Sequence, residues 1–225
     1  SFFTKIGFIR RLIQQVRALH PDVFHYHSGG DPWAPLAIIA LRNYPLVVSI
    51  HDAAHHPGDK PPKIILTMKN TLLTRLADQV IVHGYQQKDI LQRLYSLPLA
   101  KINVVYLGAP EIFQQLSPLR GQPHPMTILF FGRVQQYKGI DTLVRAVPLI
   151  LAQAPGARIV VAWPGDSPYL REAAEKFPVT FEIHNRFIKA EEVGAFFQRA
   201  ACVVLPYLDA TQSGIIPTAY LFRRP

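Results

Sequence analysis

The sequence predicts an α/β protein with two parallel-sheet domains, and two observations lead to this prediction. Short β-branched or aromatic runs alternate with helical patterns, which is typical of repeated strand and crossover-helix units. A concentration of prolines and glycines at 108–125 separates these runs into two groups. Several runs are apolar without alternation, so helices should cover both faces of each sheet. The predicted strands are Val23–His27, Leu46–Ile50, Gln79–His83, Ile102–Tyr106, Thr127–Phe131, Arg158–Trp163, Val179–Ile183 and Cys202–Leu205.

The first predicted element is an amphipathic helix over Phe2–Leu19. One face carries apolar residues, while basic residues lie off that stripe. The strand that follows gives the stripe a sheet to pack on, which favours an ordinary crossover helix. The alternative is a basic helix on an anionic membrane surface. The apolar residues are Phe2, Ile6, Ile9, Ile13 and Val16, and the basic ones are Lys5, Arg10, Arg11 and Arg17.

The breaker-rich region predicts a linker, and we divide the chain into domains at 1–122 and 123–225. With 225 residues, the chain is long enough for two small domains, each with its own core. Four strands are few for a complete sheet of this class. The chain starts without Met and stops within a predicted helix at 221–225, so we expect truncation at both ends.

The composition restricts the classes of binding partner but does not identify one. Hydrophobic residues make up 49% and charged residues 17%, which excludes disordered and collagen-like chains. The net charge of +9 favours anionic partners, among them nucleic acid, acidic lipid and phosphorylated small molecules. The single cysteine, Cys202, suits a reducing compartment, and no apolar run approaches the roughly 18 residues of a membrane span. We therefore expect a cytoplasmic protein.

The most informative motif follows the fifth predicted strand. The strand ends at Gly132, a short loop carries Arg133 and Lys138, and a helix opens at about Gly139. Two cations beside a helix N-terminus suit a diphosphate. The alternative is a tight turn with two solvated cations. Neither a Walker loop nor a Gly-x-Gly-x-x-Gly fingerprint is present.

This motif resembles the donor-phosphate loop of glycosyltransferase family 4, whose members use nucleotide sugars. Their fold, called GT-B, has two facing Rossmann-like domains with doubly wound parallel sheets. Other segments resemble the family in the same order, so the resemblance covers nearly the whole chain. These segments are Pro21–His27, Val47–Asp52, Ala77–His83, Ile102–Pro110, Gly165–Asp166, Phe187–Glu192 and Ala201–Tyr207.

The resemblance implies transfer of a sugar from a nucleoside diphosphate sugar, with retention at the anomeric carbon and with no metal or other cofactor. Arg133 and Lys138 would then balance the charge of the departing diphosphate. The second domain would bind the donor, and the first would bind a glycan, lipid-linked or small-molecule acceptor. Candidate donor-binding residues are Gly132, Arg133, Lys138, Gly165, Asp166, Phe187, Ile188, Gln212, Ser213 and Gly214.

One departure concerns a glutamate pair that the family carries eight residues apart. The matching positions here are Ala210 and Thr218, and neither is acidic. Asp209 is the candidate replacement for the first carboxylate, which would make it catalytic beside Arg133 and Lys138. The alternative is that residues 209–213 only cap a helix. Arg223 stands where the family has a glycine, so either the local backbone differs or the chain is a diverged copy.

Histidines supply the candidate acceptor side, because carboxyl ends of parallel strands form the ligand edge of such sheets. His51 matches a family histidine beside donor sugar and acceptor, and it counts as a candidate catalytic residue; the alternative is a histidine satisfied at a strand end. His25 and His27, together with His51, Asp52 and His55, also raise a metal-hydrolase alternative. The predicted acceptor-side residues are Gly29, Gly30, His51, Asp52 and His83.

Three further interpretations stay open from sequence. The missing glutamate pair and the truncated ends allow a nonenzymatic homologue or an inactive fragment. The net charge allows a nucleic-acid binder, although neither a zinc module nor an aromatic-interleaved basic strip is present. The basic first helix allows peripheral contact with an anionic membrane.

Overall fold

The computed structural model describes residues 2–28, 34–54, 63–117, 123–210 and 212–225. The chain divides into two compact units, one within residues 1–106 and the other within 107–225. Of the helices that the structure describes, not one combines the length and the apolar character that crossing a membrane requires.

The first unit contains a parallel four-stranded sheet in the order β1-β2-β3-β4. Its strands are three or four residues long. The elements are α1 Phe2–Leu19, β1 Phe24–His27, α2 Ala34–Ala40, β2 Leu46–Ser49, α3 Lys63–Leu76, β3 Gln79–Val82, α4 Tyr85–Tyr95 and β4 Ile102–Val104.

Helix α1 packs on α2, and its Val16 side chain is buried. Arg17 also donates a hydrogen bond from Nη2 to the Ala40 carbonyl oxygen at 3.3 Å. These contacts support the crossover-helix interpretation of α1. Such a helix is stabilised mainly by the burial of its apolar stripe, and helix propensity alone contributes less.

The second unit contains a parallel sheet in the order β7-β6-β5-β8. Both predicted sheets are therefore confirmed, and each strand lies within two residues of its predicted bounds. The elements are α5 Ile112–Leu116, β5 Thr127–Phe131, α6 Ile140–Gln153, β6 Arg158–Ala162, α7 Pro168–Lys176, β7 Phe181–His184, α8 Ala190–Arg199, β8 Cys202–Val203 and α9 Ile215–Leu221.

Apolar clusters lie on both faces of the second sheet, as the unbroken apolar strands predict. Leu129 of β5 packs in the cluster that includes Phe197 of α8. The next residue, Phe130, points to the opposite face and packs with Leu143 of α6. Because successive strand side chains alternate between faces, one strand contributes to both cores. This arrangement confirms the doubly wound class.

Residues 107–117 pack against the second unit, although the sequence division lies at residue 122 and stays a prediction. Ser117 donates from Oγ to the Glu191 carbonyl oxygen at 2.6 Å, and its own carbonyl accepts from Gln198 Nε2 at 2.9 Å. A Cβ added at Gly194 would lie 2.2 Å from the Ser117 Cβ. The glycine is therefore what lets this segment approach α8.

Helix α9 ends in a left-handed cap at Arg223, whose φ is 56°. The Arg224 N–H donates to the Ala219 carbonyl oxygen at 2.9 Å, closing the terminal turn. Glycine is the usual residue in this conformation because a Cβ there is strained. The backbone thus has the conformation that a glycine would favour, even though the residue is arginine.

We expect Arg223→Gly to stabilise the protein by about 0.5–1 kcal/mol, because relief of Cβ strain outweighs the added backbone entropy of the unfolded chain. Urea unfolding measures this change. Arg223→Ala is the matched control, since it removes the guanidinium but keeps the strained Cβ, and it should give no gain. Equal gains in both variants, or a loss in the glycine variant, would contradict the cap.

Candidate functional site

The predicted phosphate motif forms the loop between β5 and α6, here called the donor loop (132–139). Val134 in this loop forms an isolated bridge with Gly165, which ties the loop to the end of β6. A single 3-10 turn, Gln136–Lys138, brings the chain to the first residue of α6, Ile140. Gly132, Arg133 and Lys138 therefore share one loop at the carboxyl end of a central strand.

A second loop, between β8 and α9, closes onto the donor loop; we call it the closing loop (204–210 and 212–214). Gly139 has a φ of 68°, and a Cβ there would lie 1.9 Å from the Pro206 carbonyl oxygen. The Leu208 N–H donates to the Tyr137 carbonyl oxygen at 2.8 Å. Only glycine satisfies both the left-handed backbone and this approach.

The two cations of the donor loop have different surroundings. Arg133 is exposed, whereas Lys138 is half-buried with its ammonium 3.9 Å from the Tyr207 ring centroid and 5.1 Å from that of Tyr137. Both cations precede the first turn of α6, whose helix dipole adds positive potential at this end. The loop therefore offers positive charge to an anionic ligand.

Around this loop the first turn of α6 also carries a carboxylate. Asp141 accepts a hydrogen bond from Ser167 Oγ at 2.6 Å, and Ser167 in turn accepts from the Leu170 N–H as the cap of α7. An acidic residue in the first turn complements the helix dipole. Its contact with Ser167 joins the amino ends of two helices.

Of the two positions that the family resemblance implies for the glutamate pair, Ala210 lies in the closing loop and Thr218 lies in α9. Thr218 is 3% exposed, and its hydroxyl donates to the Gly214 carbonyl oxygen at 2.7 Å. It is therefore occupied within its own helix. Ser213 Oγ accepts from the Ile215 N–H at 3.3 Å, which is the capping role considered from sequence, and it also lies 3.1 Å from the Tyr207 hydroxyl. Asp209 and Gln212 are half-buried in the same loop.

The loop after β6 contains two of the predicted donor contacts. The Gly165 N–H donates to Asn185 Oδ1 at 3.0 Å, so Asn185 fixes this turn. Asp166 is exposed and forms an ion pair with Arg171, with Nε and Oδ1 3.4 Å apart. Sequence reasoning missed Asn185, because its partner is a backbone N–H from another loop.

The loop after β7 contains two more of the predicted donor contacts, Phe187 and Ile188. Phe187 is 66% exposed, and its ring meets that of Trp163 edge-on with centroids 5.0 Å apart. Ile188 is 1% exposed and packs in the core of the second unit. Only its backbone could contact a ligand, whereas the Phe187 ring is open to one.

In the first unit, four histidines form a row along the carboxyl ends of β1, β2 and β3. The ring centroids of His25 and His27 lie 4.2 Å apart, those of His27 and His51 6.0 Å, and those of His51 and His83 4.8 Å. The parallel register brings these strand ends together, as the sequence predicts for His51 and His83. Gly29 and Gly30 lie outside the described residues.

Three side chains fix the backbone around His51, and sequence reasoning missed all of them. The consecutive carbonyl oxygens of 51–53 accept from Gln87 Nε2 at 2.7 Å, Asn70 Nδ2 at 3.0 Å and the Tyr95 hydroxyl at 3.2 Å. Gln87 and Asn70 are fully buried. Buried amides of this kind hold a loop in place, because the loss of either hydrogen bond would leave a buried polar group without a partner.

The histidine row is a poor place for positive charge. Burial lowers the pKa of His51, and the neighbouring His83 and His27 lower it further, with Asp52 acting in the opposite direction. Burial likewise lowers the pKa of the Lys69 amine. His83 Nδ1 lies 2.9 Å from the Val105 carbonyl oxygen, an acceptor, so this nitrogen carries the proton. The His51 imidazole is therefore neutral at neutral pH.

The metal-hydrolase interpretation finds no ligand set here. In the part of the chain that the structure describes, no group of three or more His, Cys, Asp or Glu side chains is placed to hold a metal ion. His55 lies outside that part. The pairing of His25 Nε2 with Ser49 Oγ at 2.9 Å instead shows one histidine in an ordinary hydrogen bond.

Two family models match the chain, one on each unit. The model described as Glycosyltransferase Family 4 matches residues 2–110. The model described as Glycosyl transferases group 1 matches residues 125–225. Together they cover both sheets and the loops at the carboxyl ends of their strands.

Curated relatives agree with these models. A glycogen synthase of Mycobacterium tuberculosis is 26% identical over 198 residues, spanning 84% of this chain and 47% of the relative. A D-inositol 3-phosphate glycosyltransferase of Streptomyces scabiei is 29% identical over 216 residues, spanning 83% of this chain and 48% of the relative. The chain thus spans about half the length of these relatives.

Solved structures share the fold. Anabaena Alr3699/HepE in complex with UDP and glucose matches with a TM-score of 0.67 and 18% identity, over 97% of this chain and 61% of that one. TarM matches with a TM-score of 0.65 and 14% identity, over 95% of this chain and 42% of that one. At these identities the likeness concerns the fold, which is GT-B.

We predict that the His51 imidazole titrates below the midpoint of an unstructured histidine peptide, because burial and the adjacent histidines disfavour its charged form. The measurement is the pH dependence of its ring proton signals by NMR. His83→Gln should raise the midpoint by removing one like-charged neighbour. A His51 midpoint at or above the peptide value, or no response to His83→Gln, would contradict the described environment.

Proposed function

The chain belongs to the group 1 glycosyltransferases of the GT-B fold, and on that premise we propose that it transfers a sugar from a nucleoside diphosphate sugar to an acceptor. The observation that carries the proposal is the donor loop. Arg133 and Lys138 precede the first turn of α6, in the order that the family resemblance implies for donor phosphates. This grouping suits a diphosphate leaving group.

Catalysis by the donor loop is electrostatic. As the bond from sugar to phosphate breaks, negative charge develops on the diphosphate, and groups already in place stabilise it more in the transition state than in the bound donor. The Arg133 guanidinium supplies planar, paired N–H donors, and the Lys138 ammonium supplies a compact charge. We propose that these groups act without a metal ion and that the anomeric configuration is retained.

Recognition of the donor falls to the neighbouring loops. We assign the sugar to Asp209, Gln212 and Ser213 in the closing loop, which contains the first position that the resemblance implies for the glutamate pair. The exposed Phe187 ring and the turn at Gly165 and Asp166 are assigned to the base and ribose. Exposed rings and backbone groups at strand ends are suited to that role.

The acceptor is assigned to the histidine row of the first unit. A neutral His51 beside His83 can accept from or donate to an acceptor hydroxyl, and Asp52 adds a carboxylate. The relatives named glycogen synthase and D-inositol 3-phosphate glycosyltransferase indicate a glycan or a phosphorylated small molecule as the acceptor class. A lipid-linked glycan offers the same hydroxyl chemistry.

A cytoplasmic site of action and peripheral contact with an anionic membrane are also part of the proposal. On α1, Phe8 is 60% exposed beside the exposed Arg10 and Arg11. An apolar side chain flanked by cations is what a helix at a lipid surface presents.

One observation favours a second candidate, a nonenzymatic homologue that binds nucleotide without transferring sugar. Positions 210 and 218 carry Ala and a buried Thr in place of the glutamate pair. Calorimetry and assay together separate the two candidates. Binding of UDP or GDP with no turnover on any nucleotide sugar would favour the second candidate, and turnover would exclude it.

We predict that Arg133→Ala and Lys138→Ala each lower kcat/KM. Each loss should correspond to about 2–4 kcal/mol of transition-state stabilisation, which is the cost of removing one preorganised charge. The assay uses the full-length protein and a panel of nucleotide sugars, with EDTA present and product stereochemistry determined by NMR. Arg158→Ala is the control, because Arg158 is exposed at the amino end of β6. Near-normal turnover in either donor-loop variant would contradict the assignment.

A further inference from the structure

The Lys138 side chain has a partner that the proposed mechanism leaves unused. Its ammonium lies 3.9 Å from the centroid of the Tyr207 ring, well inside the range of cation–π attraction. The Tyr137 ring is more distant, at 5.1 Å. Tyr207 belongs to the closing loop, so this contact joins the one lysine of the donor loop to the loop assigned to the donor sugar.

We propose that Tyr207 is a positioning residue: its ring holds the Lys138 ammonium in place for the diphosphate before the donor binds. The proposal rests on the proposed function, since it concerns the same phosphate site. It adds a residue that acts through Lys138 and makes no claim of contact with the donor itself.

The chemistry of the contact suits positioning better than neutralisation. An aromatic face attracts an ammonium without accepting a proton or cancelling its charge, so N–H donors remain for phosphate oxygens. A carboxylate partner would compete with those oxygens. A free lysine side chain also loses considerable rotamer entropy when a ligand fixes it. Holding the ammonium in advance removes part of that cost from the binding step.

The Tyr207 ring is itself fixed at both ends. Its hydroxyl lies 3.1 Å from Ser213 Oγ, which also accepts from the Ile215 N–H at the start of α9. Its backbone sits between Pro206, which approaches Gly139, and Leu208, which bonds to the Tyr137 carbonyl. The ring therefore has a defined place relative to the donor loop.

Two substitutions separate the ring from its hydroxyl. Tyr207→Phe keeps the aromatic face, whereas Tyr207→Leu removes it but keeps an apolar side chain. Calorimetry with UDP and GDP should show roughly 3- to 10-fold weaker binding for the leucine variant and a change within about twofold for the phenylalanine variant. The full-length leucine variant should lose kcat while its acceptor KM stays within about twofold. Tyr220→Leu is the control, because Tyr220 is exposed on α9.

A ligand-free measurement tests the contact directly. The Lys138 Cε is bonded to the nitrogen that lies 3.9 Å from the ring centroid, so its protons should resonate upfield in the wild type and in Tyr207→Phe. In Tyr207→Leu the shift should fall to the smaller contribution of the more distant Tyr137 ring. Retention of the full upfield shift in the leucine variant would overturn the proposal. Equal nucleotide binding by wild type and Tyr207→Leu, or equal losses in both Tyr207 variants, would overturn it too. Binding of neither nucleotide by the wild type would instead contradict the proposed function, and the NMR comparison would still decide whether Tyr207 holds Lys138.

Discussion

The close approach of Gly139 to the Pro206 carbonyl is the constraint that sets how the donor loop and the closing loop pack together. With no side chain at 139, the closing loop can lie against the donor loop, and a Cβ there would come within 1.9 Å of that oxygen. The approach places the Tyr207 ring over Lys138 and aligns Leu208 with the Tyr137 carbonyl. The absence of a side chain at Gly139 thus lets the loop after β8 fix the position of the Lys138 ammonium in the loop after β5.

The two positions that the family resemblance implies for a glutamate pair carry Ala210 and Thr218, and neither side chain is acidic. Thr218 fills the second position as a buried residue bonded within α9. Arg223, in the place of a glycine, still adopts the left-handed conformation of a helix cap. The hydroxyl and amide groups of Ser213, Gln212 and Thr218 both donate and accept hydrogen bonds, whereas a carboxylate only accepts.

Sequence patterns predicted the sheets and the donor loop because both are local. Apolar runs indicate strands, and the position of two cations between a strand and a helix can be read directly from the sequence. The supports of these sites were not predictable in the same way. Tyr207, Asn70 and Gln87 act on residues 18 to 69 positions away, and no local pattern marks such a pair. For Ile188 the sequence indicated a position in a loop but gave no sign that its side chain is buried in the core.

We propose that the donor loop receives a diphosphate without the help of a metal ion. A crystal structure of the full-length protein with UDP or GDP, grown with a chelator present, is the test. We expect phosphate oxygens within hydrogen-bond distance of Arg133, Lys138 and the first N–H groups of α6. Phosphates bound elsewhere on the chain, or binding that requires a divalent cation, would contradict it.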